Sequence, residues 1–231
     1  MPATMLDWPG KMASTLFLSG CGFACPYCHN RHLLSPVAVP GDWAAFIAHI
    51  QEKRAWLDGV VVTGGEPTDD PDLRPLLQAL ADMGVPVKLD TNGSRPDLVR
   101  RLIDEGLISA VAVDVKAAPS HYAAITGWDG AADAVSETVS VVVASGIDHE
   151  FRTTAYPGAV TAVDLEHIAH SLRGGQRYAI QQYRKVPGMP LDAAAVDPYA
   201  DEMLLEAAKA CSRHLPTVVR GLSSHEAGAD E

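Results

Sequence analysis

The stretch Ser19-Gly20-Cys21-Gly22-Phe23-Ala24-Cys25-Pro26-Tyr27-Cys28-His29-Asn30 follows directly on an apolar run, Ala13-Ser14-Thr15-Leu16-Phe17-Leu18. Three closely spaced thiolates can hold a four-iron cluster and leave its fourth iron without a protein ligand. Iron–sulfur clusters that only carry electrons are normally held by four cysteines. An open coordination position separates a reactive metal site from a structural one. A zinc knuckle built from the same thiolates with His29 or His32 also satisfies the spacing.

The segments downstream carry polar groups that a cluster-only module does not need. Val60-Val61-Val62-Thr63-Gly64-Gly65-Glu66-Pro67 is an apolar run of strand character that ends in two glycines and a carboxylate. Adjacent glycines let a ligand approach the backbone closely, and Glu66 can accept hydrogen bonds from an ammonium group. Taken alone, this tripeptide reads as a turn with a solvated glutamate; after a three-cysteine loop it reads as a ligand site. Val85–Gly93 runs from apolar residues into Asp90, Thr91 and Asn92. Ser109–Lys116 places Asp114 and Lys116 two apart, on one face of a strand. A surface turn with an ion pair is the simpler reading for Thr91 and His121. It suits Asp114 and Lys116 less well, because they close a strongly apolar strand. Two further strand-like segments, 149–158 and 178–184, bring Arg152 and Arg184.

Helical spacing fills the intervals. Trp43, Phe46, Ile47 and Ile50 fall at i, i+3, i+4 and i+7 behind Asp42, an N-cap residue type. Leu73, Leu76, Leu77 and Leu80 repeat the pattern before Gly84. Further helices are expected over Pro96–Glu105, Ala131–Ser145, Ala162–Leu172 and Ala200–His214. Alternating strands and helices imply parallel βαβ units. Six of them make an α/β fold, a partial (β/α)6 TIM-like barrel, whose site lies at the C-terminal strand ends. The cysteine loop, Glu66, Asp90, Asp114 and Arg152 all fall there.

The cysteine spacing, with aromatic Tyr27 before the third cysteine, resembles the radical S-adenosylmethionine (SAM) superfamily. Met5-Leu6-Asp7-Trp8-Pro9-Gly10-Lys11, the strand Ala13–Leu18 and the Cys28-His29-Asn30 ending resemble the activating enzymes of glycyl-radical enzymes, in particular the activator of anaerobic ribonucleotide reductase. The resemblance implies a [4Fe-4S] cluster on Cys21, Cys25 and Cys28. It implies SAM contacts from Tyr27, from Gly64, Gly65 and Glu66 at the methionine amino group, from Asp90 and Asn92 of an Asp-Thr-Asn-Gly match, from the Asp114–Lys116 pair, and from Arg152. His121 and Thr126-Gly127 follow the activators' pattern too. Arg184 stands where some relatives have histidine, a departure that leaves its role open. The chemistry belongs to cluster and SAM, so no general acid or base is assigned. The implied partners are a glycyl-radical enzyme and, as electron donor, reduced flavodoxin or ferredoxin. The competing enzyme reading is a small-molecule radical SAM enzyme like 7-carboxy-7-deazaguanine synthase on the same reduced barrel.

With 231 residues and 47% hydrophobic content, the chain can bury a full core. Residues 1–220 are expected to form a single domain, 186–198 an irregular loop, and 221–231 a mobile acidic tail. The short interval after Cys28 leaves no room for an inserted ferredoxin-like domain. Cys211 sits beside alanine and leucine residues as a small hydrophobe. A formal charge of −11 argues against nucleic acid as a partner. No run is long enough to span a membrane and no signal peptide precedes the cysteine loop. Together with an oxygen-sensitive cluster, this points to the cytoplasm of an anaerobic cell.

Overall fold

The structure is a computed structural model that describes residues 3–36 and 43–223. One sheet holds β1 (Ala3–Thr4), β2 (Ala13–Leu18), β3 (Gly59–Gly64), β4 (Val87–Thr91), β5 (Ala110–Asp114), β6 (Asp148–Ala155), β7 (Tyr178–Gln182) and β8 (Thr217–Arg220), in chain order. Strands β2 to β8 are parallel, and β1 pairs antiparallel with β2. The six strands expected from the sequence form a partial barrel, flanked by two strands the sequence reading did not anticipate. β1 is two residues long and β8 four, too short for an alternating pattern to show.

Eight α-helices connect the strands among the described residues: α1 (Trp43–Lys53), α2 (Leu73–Asp82), α3 (Pro96–Asp104), α4 (Tyr122–Thr126), α5 (Ala131–Ser145), α6 (Ala162–Ser171), α7 (Leu191–Ala195) and α8 (Asp201–Cys211). The short helix α7 lies inside the segment expected to be irregular, and α4 was likewise unforeseen. One turn of helix carries too few residues to show a period. The last helix stops at Cys211, short of His214. Asp42 and residues 224–231, including most of the expected tail, lie outside the described residues.

The two faces of the sheet differ in chemistry. Val60, Val62, Leu89, Val111, Val113, Phe151 and Ile180 are buried in one cluster with Leu73, Leu77, Leu80, Val99, Leu102 and Leu165 of the helices. This is the apolar shell that holds strand to helix. The alternate positions point the other way, into the barrel. There Ala13, Val61 and Ala110 pack with Trp8, which closes the end away from the strand C-termini. Cross-strand register carries the same parity onward: Asp90 pairs with Ala112, Ala112 with Glu150, and Asp114 with Arg152. Cross-strand partners share a face, so these charged side chains converge inside the barrel, and alanines at 110 and 112 leave them room. No helix among the described residues is long and apolar enough to cross a membrane.

Candidate functional site

Every metal and cofactor contact that the family resemblance implies lines one cavity of about 420 Å³ at the C-terminal strand ends: Cys21, Cys25, Tyr27, Cys28, Gly64, Gly65, Glu66, Asp90, Asn92, Asp114, Lys116 and Arg152; His32, the other zinc-knuckle candidate beside His29, does not. The volume lies in the ~300–1,000 Å³ range of small-molecule sites. Each residue arrives by a simple local rule. The cysteine loop leaves the end of β2, Gly64 ends β3, Thr91 ends β4 and Asp114 ends β5.

The glycine pair serves the chain's own backbone. A Cβ on Gly64, where φ is +136°, would stand 2.0 Å from the Leu18 carbonyl oxygen, and one on Gly65 would stand 2.2 Å from that of Gly20. Gly65 N–H donates to Leu18 O at 2.8 Å and Glu66 N–H to Gly20 O at 2.7 Å. The end of β3 is thereby clamped against the root of the cysteine loop, and no larger residue fits there.

Glu66 is fully buried. Its Oε1 accepts from Thr68 N–H at 3.0 Å, from the Thr68 hydroxyl and from the Thr91 hydroxyl at 2.6 Å; Oε2 accepts from Asn92 N–H at 2.6 Å. Burial pushes its carboxyl upward, opposed by these hydrogen bonds. Thr91, read from the sequence as a surface turn residue, is instead buried with its hydroxyl on Glu66. A turn at the end of a barrel strand can face inward, and residue type alone does not reveal this. His121, by contrast, is exposed.

The floor of the cavity is a chain of alternating charges. Lys88 Nζ donates to Asp90 Oδ1 at 2.6 Å, Arg152 Nη1 to Asp90 Oδ2 at 2.8 Å, Arg152 Nε to Asp114 Oδ1 at 2.7 Å and Lys116 Nζ to Asp114 Oδ2 at 2.8 Å. Three cations against two carboxylates leave the chain with a net positive charge. Although burial raises the Asp114 carboxyl, Arg152 and then Lys116 hold it well below the usual carboxylate range. Burial lowers the Lys116 ammonium, and Asp114 more than reverses this, so Lys116 stays charged. The Lys116 backbone is gripped twice, its carbonyl by the Tyr27 hydroxyl at 3.2 Å and its N–H by the Tyr122 oxygen at 2.9 Å.

All four cysteines are free thiols, and Cys211 is buried in the core as expected. Burial pushes the Cys21 thiol up to about 11. Two donors reach its sulfur: Phe23 N–H at 3.4 Å and Asn92 Nδ2 at 3.8 Å. Three thiols on one wall, with N–H donors for a sulfur that becomes a thiolate, fit the donor set of an iron–sulfur group.

Sequence reasoning missed Lys88 and the position of Asp7. Lys88 is buried in β4, and its ammonium also donates to the Asp7 carbonyl at 2.8 Å. The signal was present, since Lys88 interrupts an apolar strand two residues before Asp90 and so shares its face. Asp7 lines the cavity and accepts from the Thr15 hydroxyl at 2.6 Å. Arg184 does not line it; the Arg184 carbonyl lies 3.1 Å from His29 Nε2.

Comparison with known proteins agrees with this architecture. Residues 15–172 match the family model described as the Radical SAM superfamily. A Methanocaldococcus jannaschii protein, provisionally named as a glycyl-radical enzyme activating enzyme, is 28% identical over 221 residues, covering 93% of this chain and 90% of that one. The 7-carboxy-7-deazaguanine synthase of Methanopyrus kandleri is 32% identical over 133 residues, covering 48% of this chain and 52% of that one. The crystal structure of Streptococcus suis SuiB bound to S-adenosylmethionine superposes with a TM-score of 0.74 at 16% identity, covering 94% of this chain and 52% of that one. At that identity the likeness is one of fold.

Proposed function

The chain belongs to the radical SAM superfamily, and from that premise we propose that it is a glycyl-radical-enzyme activating enzyme whose protein substrate is an anaerobic ribonucleotide reductase. The observation that carries the reading is the end-to-end match to a relative bearing an activating-enzyme name, which spans nearly all of both chains. The deazaguanine synthase likeness spans about half of each chain. Family membership implies a [4Fe-4S] cluster and SAM. When bound, they supply reductive cleavage of SAM to methionine and a 5′-deoxyadenosyl radical that abstracts hydrogen, here from a glycine Cα.

The chain's own residues bind, orient and exclude water. Cys21, Cys25 and Cys28 would hold three irons, and the N–H groups of Phe23 and the Asn92 side chain stabilise the Cys21 thiolate. Glu66 has one lightly used oxygen, Oε2, with room to accept from the SAM ammonium; its other bonds fix its aim. Arg152 and Lys116, the cations on Asp114, would receive the SAM carboxylate, because the charged floor is net positive. Asp90, held by Lys88 and Arg152, keeps that arrangement rigid. Tyr27 fixes the backbone of Lys116 beside the cysteine loop.

The test is an anaerobic incubation of the iron-loaded protein with reductant, SAM and an anaerobic ribonucleotide reductase. A glycyl doublet in the electron paramagnetic resonance spectrum of the partner is the expected result. SAM cleavage with no protein radical, accompanied by modification of a small metabolite, moves the assignment to the synthase reading.

A further inference from the structure

A second cavity, of about 250 Å³, lies at the end of the barrel that Trp8 closes, and the function proposed above does not use it. Four cations line it, Lys11, Lys88, Arg177 and Arg220, against two carboxylates, Asp148 and Glu150. The chain as a whole carries −11, from 18 basic and 29 acidic residues, so this lining runs against its composition. Each cation comes from a separate segment. Lys11 belongs to the turn between β1 and β2, where its N–H donates to the Trp8 carbonyl at 2.9 Å; Lys88 lies in β4, Arg177 immediately precedes β7 and Arg220 ends β8. Their pairings are unequal. Arg220 holds both oxygens of Glu150 at 2.7 Å, and Arg177 pairs with Asp148. Lys88 is buried and shares Asp90 with Arg152; the Asp7 carbonyl is its other acceptor, so one of its three N–H donors is unused among the described residues. Lys11 joins no ion pair among the described residues, and its ammonium lies over the Trp8 ring, 4.4 Å from the centroid. Asp58 accepts from Met12 N–H at 2.7 Å and does not line the cavity.

We propose that this cavity binds a small phosphate-class dianion, held by Lys11, Lys88, Arg177 and Arg220. Four cations against two carboxylates leave the lining two positive charges in excess, which one dianion neutralises. Like charges gathered in a partly buried space repel one another strongly, so the arrangement favours a counter-anion. The two guanidinium groups keep donors for it. Each has five N–H groups in a planar fork; Glu150 occupies two of those on Arg220 and Asp148 one on Arg177. The remaining donors match the oxygens of a phosphate, which arginine receives better than a point charge does. The volume lies just under the ~300–1,000 Å³ of sites for drug-sized ligands, which suits a small ion better than a whole nucleotide. Lys88 stands between this cavity and the charged floor beneath the cysteine loop, which it reaches through Asp90, so the two ends of the barrel are separate anion-attracting sites.

The experiment titrates inorganic phosphate into the full chain, parental and as the double variant Lys11→Gln/Arg177→Gln, by calorimetry in a chloride buffer of low ionic strength. One saturable site is expected in the parent, and the double variant should bind at least about tenfold more weakly because two charge-assisted contacts are gone. Arg177 and its partner Asp148 are exposed and Lys11 is half-buried, so the variant should keep the parental circular dichroism. If it does not fold, Lys11→Gln alone should weaken binding several-fold and Lys11→Arg should restore it. Absence of saturable binding in the parent, or equal affinities in parent and variant, overturns the proposal. Phosphate binding that Arg152→Met abolishes and the double variant retains also overturns it, because the anion then sits on the floor beneath the cysteine loop. ATP titrated in parallel separates two sources of the same chemistry. Binding of phosphate without ATP, lost in the double variant, assigns the site to the free ion; loss of both extends it to the terminal phosphate of a nucleotide. None of these readouts involves SAM, so the test stands whether or not the function proposed above does.

Discussion

Strands β4, β5 and β6 carry opposite contents on their two faces. Outward, Leu89, Val111, Val113 and Phe151 are buried against helices; inward, Lys88, Asp90, Asp114, Glu150 and Arg152 form ion pairs. Apolar burial stabilises the fold by about 25 cal/mol per Å². Buried ion pairs are close to neutral or costly compared with a hydrophobic filling. A chain needing only stability would fill this barrel with valine and leucine, so the inward charges mark the half of each strand that serves the site.

The largest effect separates the site from everything else. Cys25→Ala should abolish the iron–sulfur absorbance and SAM cleavage while leaving the thermal unfolding of the metal-free protein close to the parent. Cys211→Ala should spare both cluster and cleavage. SAM cleavage at the parental rate by Cys25→Ala would erase the distinction.

Next comes a pair of substitutions on one strand. Phe151→Ala, on the outer face, should cost about 3–5 kcal/mol of stability by opening a cavity. Arg152→Met, on the inner face, should cost a similar ~3–5 kcal/mol, because Asp90 and Asp114 each lose a buried partner. The two differ in function: refolded Phe151→Ala should bind SAM like the parent in a calorimetric titration, and Arg152→Met should not. Equal SAM affinities would show that the inner face is merely structural.

How much of this was legible in the sequence follows the same division. The outward face repeats as apolar runs and helical spacing, so the strand order, five of the six long helices within a few residues, and α5 to the residue could be read directly. The site residues were legible because strand ends coincide with polar tripeptides such as Gly64-Gly65-Glu66. What those residues touch was not. The glycines make room for Leu18 and Gly20, and Thr91 turns inward onto Glu66; both are long-range contacts with no local signature. Lys88 was overlooked for a different reason, since a lysine in a strand reads as exposed unless its register is known.

Glu66→Gln gives a smaller effect. It presents amide hydrogens to donors already in place, and the loss of a charged acceptor should cost about 1.5–3 kcal/mol in thermal unfolding, with weaker SAM binding. Unchanged stability would mean that the Thr68, Thr91 and Asn92 contacts do not hold the cysteine loop's neighbour.

The smallest is a pH effect. The Asp114 carboxyl is depressed in the folded chain, so its contribution to stability is complete above its unfolded value of about 4 and is lost as pH falls below that. Asp114→Asn should therefore flatten stability against pH only below about pH 4, measured by denaturant midpoints. A parallel displacement of the whole curve would assign the acid sensitivity to other carboxylates.

The most direct test of the central claim follows one hydrogen. With an anaerobic ribonucleotide reductase deuterated at its glycine Cα, reductant and SAM, mass spectrometry of the 5′-deoxyadenosine should show one deuterium per molecule in the first turnover. Unlabelled 5′-deoxyadenosine, formed at the same rate with or without that partner, would contradict it.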